Sequence, residues 1–159
     1  MPGEPLNSAA YVILTQTTLQ MADNVSPERR SEIMSAVKSA NTKPELLVRK
    51  HLFQNGFRFR INDKSLPGKP DVKLTKYKTV VLVNGCFWHG HEGCRIYVMP
   101  KTNPEFWQAK IDRNMERDRK NINLLERAGW RVLIVWECQL KKSRRDETLG
   151  KLVEKIHSF

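Results

Sequence analysis

Three cysteines and two of the four histidines in this chain carry metal-binding side chains at close spacing. Four of them lie in the nine-residue segment Cys86-Phe87-Trp88-His89-Gly90-His91-Glu92-Gly93-Cys94, and Cys138 follows far downstream. Zinc in structural sites takes four sulfur or imidazole ligands tetrahedrally, at about 2.0–2.3 Å. Cys86, His91, Cys94 and Cys138 would supply that set, which predicts a closed structural zinc site.

The alternative for these cysteines is three buried free thiols, because reduced cysteine packs as a small hydrophobe. Their close spacing with histidine favours the metal site. A disulfide framework is disfavoured, since the number of cysteines is odd and no secretory pattern precedes them.

A second candidate for chemistry is Asp71, which follows the turn-forming run Ser65-Leu66-Pro67-Gly68-Lys69-Pro70 at the start of a predicted strand. Many metal-dependent nucleases place their first carboxylate in this way, because Mg²⁺ prefers carboxylate and carbonyl oxygens and neutralises charge during phosphodiester cleavage. The alternative is a carboxylate that only closes the turn. The nuclease pattern also requires Asp/Glu-x-Lys after the next strand, and this chain has Val83-Asn84-Gly85 there.

His89 lies just beyond the position of the missing lysine. An imidazole titrates near neutral pH and can accept a proton from an attacking water molecule. If His91 binds zinc, His89 is left for this role. The alternatives are a further zinc ligand or an ordinary surface histidine.

Composition limits the class of protein. The chain has 159 residues, 40% of them hydrophobic, which suits one globular domain. With 28 Lys and Arg against 17 Asp and Glu, the net charge of +11 indicates a polyanionic partner, most simply nucleic acid, or a generally basic surface. No apolar run approaches the roughly 20 residues of a membrane span. We expect residues 1–22 to form a weakly ordered tail and residues 23–159 a single domain.

Local patterns predict the elements that position these residues. Helices should begin at Ser26-Pro27-Glu28 and at the capping box Thr42-Lys43-Pro44-Glu45, the second burying Leu46, Leu47 and Leu52 and ending before Gly56. Strands are predicted at 57–61, 71–74, 79–83 and 130–136, with the second and third forming a hairpin and the third central. A long helix should run from Thr102 to about Ala128, and a last one from Asp146 to His157. The order ααβββαβα predicts an α/β fold in which a mixed sheet is flanked by helices on both faces.

Several motifs in register resemble the very short patch repair endonucleases, which are bacterial mismatch enzymes. They are Ser65 to Asp71, Asn84-Gly85-Cys86-Phe87-Trp88-His89, Glu105-Phe106-Trp107, Glu116-Arg117-Asp118-Arg119 and Gly129 to Cys138. The resemblance extends from about Met21 to Lys141. It implies a restriction-endonuclease-like fold with a structural zinc, and a Mg²⁺-dependent nick on the 5′ side of the thymine in a T·G mismatch. Such mismatches arise by deamination of 5-methylcytosine.

The resemblance also implies roles for individual residues. Asp71 would be the Mg²⁺-binding carboxylate, assisted by the main-chain oxygen of Val83, and His89 the general base. Asp118 would orient His89, and Glu45 would lie beside the site in addition to capping its helix. Cys86, His91, Cys94 and Cys138 match the zinc ligands.

Phe87, Trp88 and Met34 match wedges that intercalate between base pairs. Aromatic wedges test how easily a base step unstacks, and a mismatch lowers that cost. The alternative for each is burial in the core, which we expect for Phe106, Trp107, Trp130 and Trp136. Candidate phosphate contacts are Arg29, Arg30, Arg49, Lys50, Lys141, Lys142, Arg144 and Arg145.

Together with the resemblance, these features predict a monomeric mismatch-directed nicking enzyme that acts on double-stranded DNA in the bacterial cytoplasm, on the nucleoid, with mismatch-repair proteins as candidate partners. One rival is a zinc-stabilised DNA-binding module without catalysis, which would leave Asp71, His89 and Asp118 without a joint role. The other is a restriction-type nuclease that cuts matched duplex.

Overall fold

The computed structural model describes residues 40–158 together with Ser26. Its elements are helix α1 (Lys43–Gln54), strand β1 (Val72–Leu74), a 3₁₀ turn (Thr75–Tyr77), strand β2 (Thr79–Asn84), helix α2 (Pro104–Arg127), strand β3 (Arg131–Trp136), a 3₁₀ turn (Glu137–Leu140) and helix α3 (Arg145–His157). The predicted helix after Ser26 and the wedge candidate Met34 lie outside the described residues.

The sheet is mixed, with β2 between β1 and β3. β1 pairs with β2 antiparallel, with Val72 opposite Val81, and β2 pairs with β3 parallel, with Asn84 opposite Trp136. The predicted hairpin and the central position of β2 are therefore confirmed. Helix α2 makes the crossover that a parallel pair requires.

Helices cover both faces of this sheet. On one face, α1 and α3 pack against the sheet through a core that includes Val48, Leu52, Val81, Val135 and Ile156. On the other face, Leu125 of α2 packs with Val80 and Trp130. Neighbouring residues Val80 and Val81 thus face opposite layers, as the period of two in a strand requires. The prediction of a mixed sheet with helices on both faces is confirmed.

Each of the two first helices ends at a glycine in the left-handed region. Gly56 follows α1 with φ +82°, and Gly129 follows α2 with φ +75°. After each glycine the next amide donates back into the helix, from Phe57 to Leu52 O (3.1 Å) and from Trp130 to Leu125 O (3.0 Å). This is the Schellman arrangement, in which an apolar residue beyond the glycine packs on the last turn. Trp130 therefore closes α2, and β3 begins one residue later than predicted.

The predicted strand at 57–61 is wrong. Within the described part of the chain it is reduced to one bridge, in which Arg60 and Lys73 exchange backbone hydrogen bonds of 3.0 and 2.8 Å. Phe57 at one end is held by the close of α1. At the other end Asn62 has φ +48°, which turns the chain away from β1.

Two predicted core positions are also wrong. Leu46 is 52% exposed and Phe106 is 49% exposed. In α1 the inward face instead carries Glu45, Val48, Arg49 and Leu52. Two charged residues thus lie on the inward face, whereas Leu46, which the apolar pattern placed there, does not. None of the helices in the described part of the chain combines the length and the apolar run that a bilayer crossing requires.

Leu125→Ala is expected to lower the free energy of unfolding by about 2–5 kcal/mol, because it leaves a cavity where α2 packs on the sheet. Its neighbour provides the matched control: Leu125 is fully buried and Leu124 is 42% exposed. Leu124→Ala should change stability by about 0.5 kcal/mol or less. Urea denaturation of both variants measures the difference, and equal losses would contradict this account of the second layer.

Candidate functional site

The four predicted zinc ligands lie together. The ligating atoms of Cys86, His91, Cys94 and Cys138 are all within 4.8 Å of one another, and Cys138 Sγ lies 3.5 Å from His91 Nδ1. Tetrahedral ligands at about 2.3 Å from a common centre would be separated by about 3.7 Å. The cluster has the donor types and the spacing to hold a metal ion.

The strand register explains how distant cysteines meet. Because β2 and β3 run parallel and Asn84 is opposite Trp136, both strands end at the same edge of the sheet. The loop after β2 carries Cys86, His91 and Cys94, and the turn after β3 carries Cys138. The His91 ring stacks on Trp136, with ring centroids 4.0 Å apart and planes at 6°. Trp136, expected in the core, is thus half-buried and stacked on a predicted ligand of the cluster.

The thiols need a positive charge to ionise together. Burial raises the pKa of Cys86 to about 12 and also raises the pKa of Cys138, whereas the amide of Ile96 lowers the pKa of Cys94. A bound cation supplies that charge, because it binds the thiolate and releases the proton. The chemistry of the donor set therefore fits a metal centre better than three independent thiols.

The loop from Gly85 to Cys94 is held tightly against α2. Its backbone turns on itself, with His91 N donating to Cys86 O at 3.0 Å, and Asn114 of α2 donates its side-chain amide to Trp88 O at 3.0 Å. Gly90 has φ +59°, and a Cβ there would come within 2.5 Å of Met115 Sδ. Glycine suits this position because its φ lies in the left-handed region, and a side chain here would also force Met115 to shift.

His89 is separate from the thiol cluster and pairs with Asp118 of α2. His89 Nδ1 lies 2.5 Å from Asp118 Oδ2. Burial alone would raise the pKa of Asp118, but the hydrogen bond and charge of His89, with Arg117, outweigh burial and the pKa is lowered. An ionised carboxylate accepts a hydrogen bond from Nδ1–H, which leaves Nε2 as the basic nitrogen of the neutral ring. The pair has the arrangement of an oriented general base.

Asp71 precedes β1, beside the end of β2. The backbone N–H of Val83 donates to Asp71 Oδ2 at 2.7 Å. Burial raises the pKa of Asp71 to about 6; the charge of Glu45 acts in the same direction, and Val83, Arg49 and His89 oppose it. No other residue in the described ranges donates a hydrogen bond to this carboxylate. One of its oxygens is therefore available to bind a cation. A bound cation would also stabilise the ionised carboxylate, which burial disfavours.

Glu45 lies near enough to Asp71 to affect its charge, and it also caps α1. Its carboxylate accepts hydrogen bonds from the amides of Asn41 and Thr42, from Thr42 Oγ1 at 2.8 Å and from Arg49 at 2.9 Å. The predicted capping box is confirmed. Its capping contacts are compatible with a position beside Asp71, whose pKa the charge of Glu45 raises.

Arg49 does not lie where a phosphate contact would. It is 7% exposed, and its guanidinium is engaged by Asn41, Glu45 and the backbone of Asp71. Of the other candidate phosphate contacts, Lys50, Lys141, Lys142 and Arg144 are exposed, Arg145 is half-buried, and Arg29 and Arg30 lie outside the described residues.

The two aromatic residues of the loop are partly buried and pack on the same helix. The Phe87 and Trp88 rings lie 5.7 and 6.1 Å from the ring of Trp107, and Lys110 Nζ lies 5.3 Å from the Trp88 ring. Trp107, Lys110, Asn114 and Asp118 follow a spacing of three, four and four, so they share one face of α2. This spacing could have revealed Lys110 and Asn114, which were not predicted from the sequence.

Comparison with known proteins identifies several similar chains. A family model described as DNA mismatch endonuclease Vsr matches residues 22–95. The type II nicking enzyme V.NmeAIP of Neisseria meningitidis serogroup A is 51% identical over 137 residues, covering 86% of this chain and 97% of that protein. V.XorIIP, a type II nicking enzyme of Xanthomonas oryzae pv. oryzae, is 48% identical over 76% of this chain and 88% of its own. The DNA mismatch endonuclease Vsr of Escherichia coli K12 is 43% identical over 84% of this chain and 86% of its own.

Asp71→Asn is expected to stabilise the folded protein at neutral pH in buffer without Mg²⁺. The folded protein raises the pKa of Asp71 to about 6, whereas an unperturbed Asp has a pKa of about 3.9. The proton therefore stabilises the fold fully below about pH 4, and this stabilisation is lost as the pH rises through 6. Above that pH the charged carboxylate costs up to about 3 kcal/mol, which the amide avoids.

Urea denaturation of Asp71→Asn and the unsubstituted chain at pH 5 and pH 7.5 tests this. The stability difference should be larger at pH 7.5, and taking the difference removes pH effects common to both proteins. A difference that is independent of pH would show that burial does not disfavour the ionised carboxylate.

Proposed function

The chain belongs to the Vsr family of DNA mismatch endonucleases, and we propose that it nicks double-stranded DNA on the 5′ side of the thymine in a T·G mismatch. The observation that carries the proposal is the arrangement around Asp71. Its carboxylate interacts electrostatically with both Glu45 and His89, and His89 is hydrogen-bonded to Asp118. Acids that suit a hard cation and an oriented base therefore share one site.

Mg²⁺ is the proposed catalytic cofactor. Asp71, with the main-chain oxygen of Val83, would hold it, and the ion would neutralise charge developing on the phosphate oxygens. The fit rests on the donor set: a carboxylate whose one described hydrogen-bond donor is Val83 N–H, with its pKa raised to about 6. Glu45 adds a second acid that its four donors keep in place.

His89 is the proposed general base. With Nδ1 committed to Asp118, Nε2 takes a proton from the attacking water as the water oxygen bonds to phosphorus. The bond from phosphorus to the leaving oxygen then breaks, and that oxygen takes up a proton from solvent water, so that it leaves as a hydroxyl group. Asp118 does not take up the proton; it orients the ring and stabilises the imidazolium that forms, as in other His–Asp pairs.

Zinc is the metal we propose for the Cys86, His91, Cys94 and Cys138 cluster. All four ligands come from the protein, so the site would be closed and its role structural. It would join the loop after β2 to the turn after β3, and so hold His89 and the aromatic pair in position. With the hairpin, the crossover to β3 and helices on both faces, this supports a restriction-endonuclease-like fold.

Phe87 and Trp88 are the proposed wedges that unstack the mismatched step, with Met34 as a third. Phe87 and Trp88 lie on the same loop as His89 and pack on Trp107, which holds their rings in place. The cost of unstacking is a few kcal/mol and is smallest for a poorly paired base. A rigid wedge on the same loop as the general base His89 would therefore couple mismatch detection to cleavage.

The proposal is tested by cleavage of a T·G duplex and its matched T·A control, each with and without Mg²⁺. We expect a nick in the T·G strand that requires Mg²⁺. Equal cleavage of both duplexes would indicate a restriction-type nuclease, and binding without cleavage would indicate a DNA-binding module. Asp71→Ala should reduce nicking by about 10³-fold or more, by removing a catalytic metal ligand, while zinc content stays at one ion per chain. Loss of zinc in this variant would contradict the separation of the two metal sites.

Cys138→Ala is expected to prevent stable folding rather than to remove catalysis selectively. The binding energy of a structural zinc is folding energy, and Cys138 is the ligand that ties β3 to the loop. Soluble yield, zinc content by mass spectrometry and thermal denaturation measure the effect. A soluble, stable Cys138→Ala protein that binds no zinc would contradict the structural role.

A further inference from the structure

Arg49 is a buried cation in the middle of the acidic site. It lies on the inward face of α1, with its side chain 9% exposed. In a chain of net charge +11 that acts on DNA, an arginine is expected at the surface. A buried guanidinium must be fully compensated, because an unpaired charge away from water is costly.

Its compensation comes from three directions. Nη2 donates to Glu45 Oε2 at 2.9 Å, Nη1 donates to Asn41 Oδ1 at 2.7 Å, and Nε donates to the backbone oxygen of Asp71 at 3.3 Å. One planar group therefore contacts the carboxylate of Glu45 and the main chain of Asp71. These residues belong to different elements, since Glu45 lies in α1 and Asp71 lies 22 positions beyond Arg49, before β1.

We propose that Arg49 is a positioning residue of the cation site, which fixes the carboxylate of Glu45 relative to that of Asp71. The inference rests on the proposed function, because it assumes that these two acids face one divalent cation. Two carboxylates repel each other, and the repulsion would move the first turn of α1, which carries Glu45, away from β1. Arg49 opposes this by hydrogen-bonding to one acid and to the backbone of the other.

The geometry of the guanidinium is what suits Arg49 to this role. Its donors are arranged in a rigid planar fork, so bonds to three acceptors fix the distances between them. A lysine retains the charge but is a point donor on a flexible stem, and it cannot hold the three acceptors in one plane. Charge and geometry can therefore be separated by a single conservative substitution.

Arg49→Lys in the zinc-loaded protein is the main test, with Mn²⁺ as the probe of the cation site. Binding is measured without DNA, from the loss of the free-ion EPR signal. Groups that orient metal ligands typically change metal affinity by about 10–100-fold when substituted, and we expect Arg49→Lys to weaken Mn²⁺ binding within that range. Arg127→Lys, the same substitution at an exposed arginine in the last turn of α2, is the matched control and should bind Mn²⁺ as the unsubstituted protein does.

Unchanged Mn²⁺ affinity in a folded Arg49→Lys protein would overturn the proposal and leave Arg49 with a charge-balancing or packing role. If that variant does not fold, the Mn²⁺ affinity of Glu45→Gln is compared with that of the double variant Glu45→Gln, Arg49→Met. The double variant removes both charges of the buried pair. Equal Mn²⁺ affinities would support action through Glu45, and a further loss of about tenfold or more would contradict it.

The result can be interpreted apart from the proposed function, because no cleavage is measured. An unsubstituted protein that binds Mn²⁺ but does not nick T·G duplex would overturn the nicking activity and leave the Arg49 comparison valid. An unsubstituted protein that binds no Mn²⁺ would overturn both.

Discussion

The parallel pairing of β2 with β3 is the constraint on which the rest of the site depends. A parallel pair brings the carboxyl ends of two strands to the same edge, and here it sets Asn84 opposite Trp136. The loop and the turn that follow these residues must therefore meet. Their meeting brings Cys138 to the three ligands of the loop, although 44 positions separate Cys94 from Cys138. A shift of one residue in this register would move the side chains of β3 to the opposite face and separate the ligands.

The antiparallel pairing of β1 with β2 has a matching consequence for the acids. It places the start of β1 beside the end of β2, where the amide of Val83 can reach Asp71. The site then accumulates negative charge in a buried position, and the raised pKa of Asp71 records what this costs. Arg49 offsets part of it from within, and a bound cation would offset the remainder. The buried charge thus lowers the stability of the fold at the place where the proposed chemistry requires an ionised carboxylate.

One short loop connects folding with the proposed catalysis. Neighbouring residues of this loop face different partners: His91 faces the thiol cluster, His89 faces Asp118, and Phe87 and Trp88 face Trp107. Such divergence within a few residues needs a tight backbone, which is provided by its internal hydrogen bonds and by the close approach of Gly90 to Met115. A metal at the cluster would stiffen the same loop. Disturbing the ligands is therefore expected to displace the base and the aromatic pair together.

Features that depend on neighbours along the chain were predictable from the residues alone. The capping box at Thr42, the two glycine helix ends, the hairpin and the metal-ligand spacing of the loop all follow from residues a few positions apart, and each was found where it was predicted. Contacts between residues of different elements depend on long-range packing and are seen only in the folded structure. From residue type, Arg49 was predicted to contact phosphate and Phe106 to lie in the core. From their alternating pattern, residues 57–61 were predicted to form a strand. In each case contacts beyond the local pattern decided the outcome. Arg49 is buried because it hydrogen-bonds to Glu45 and to the backbone of Asp71, near β1. Phe106 is exposed because no core among the described residues covers it, and the turn at Asn62 leaves residues 57–61 one bridge to β1.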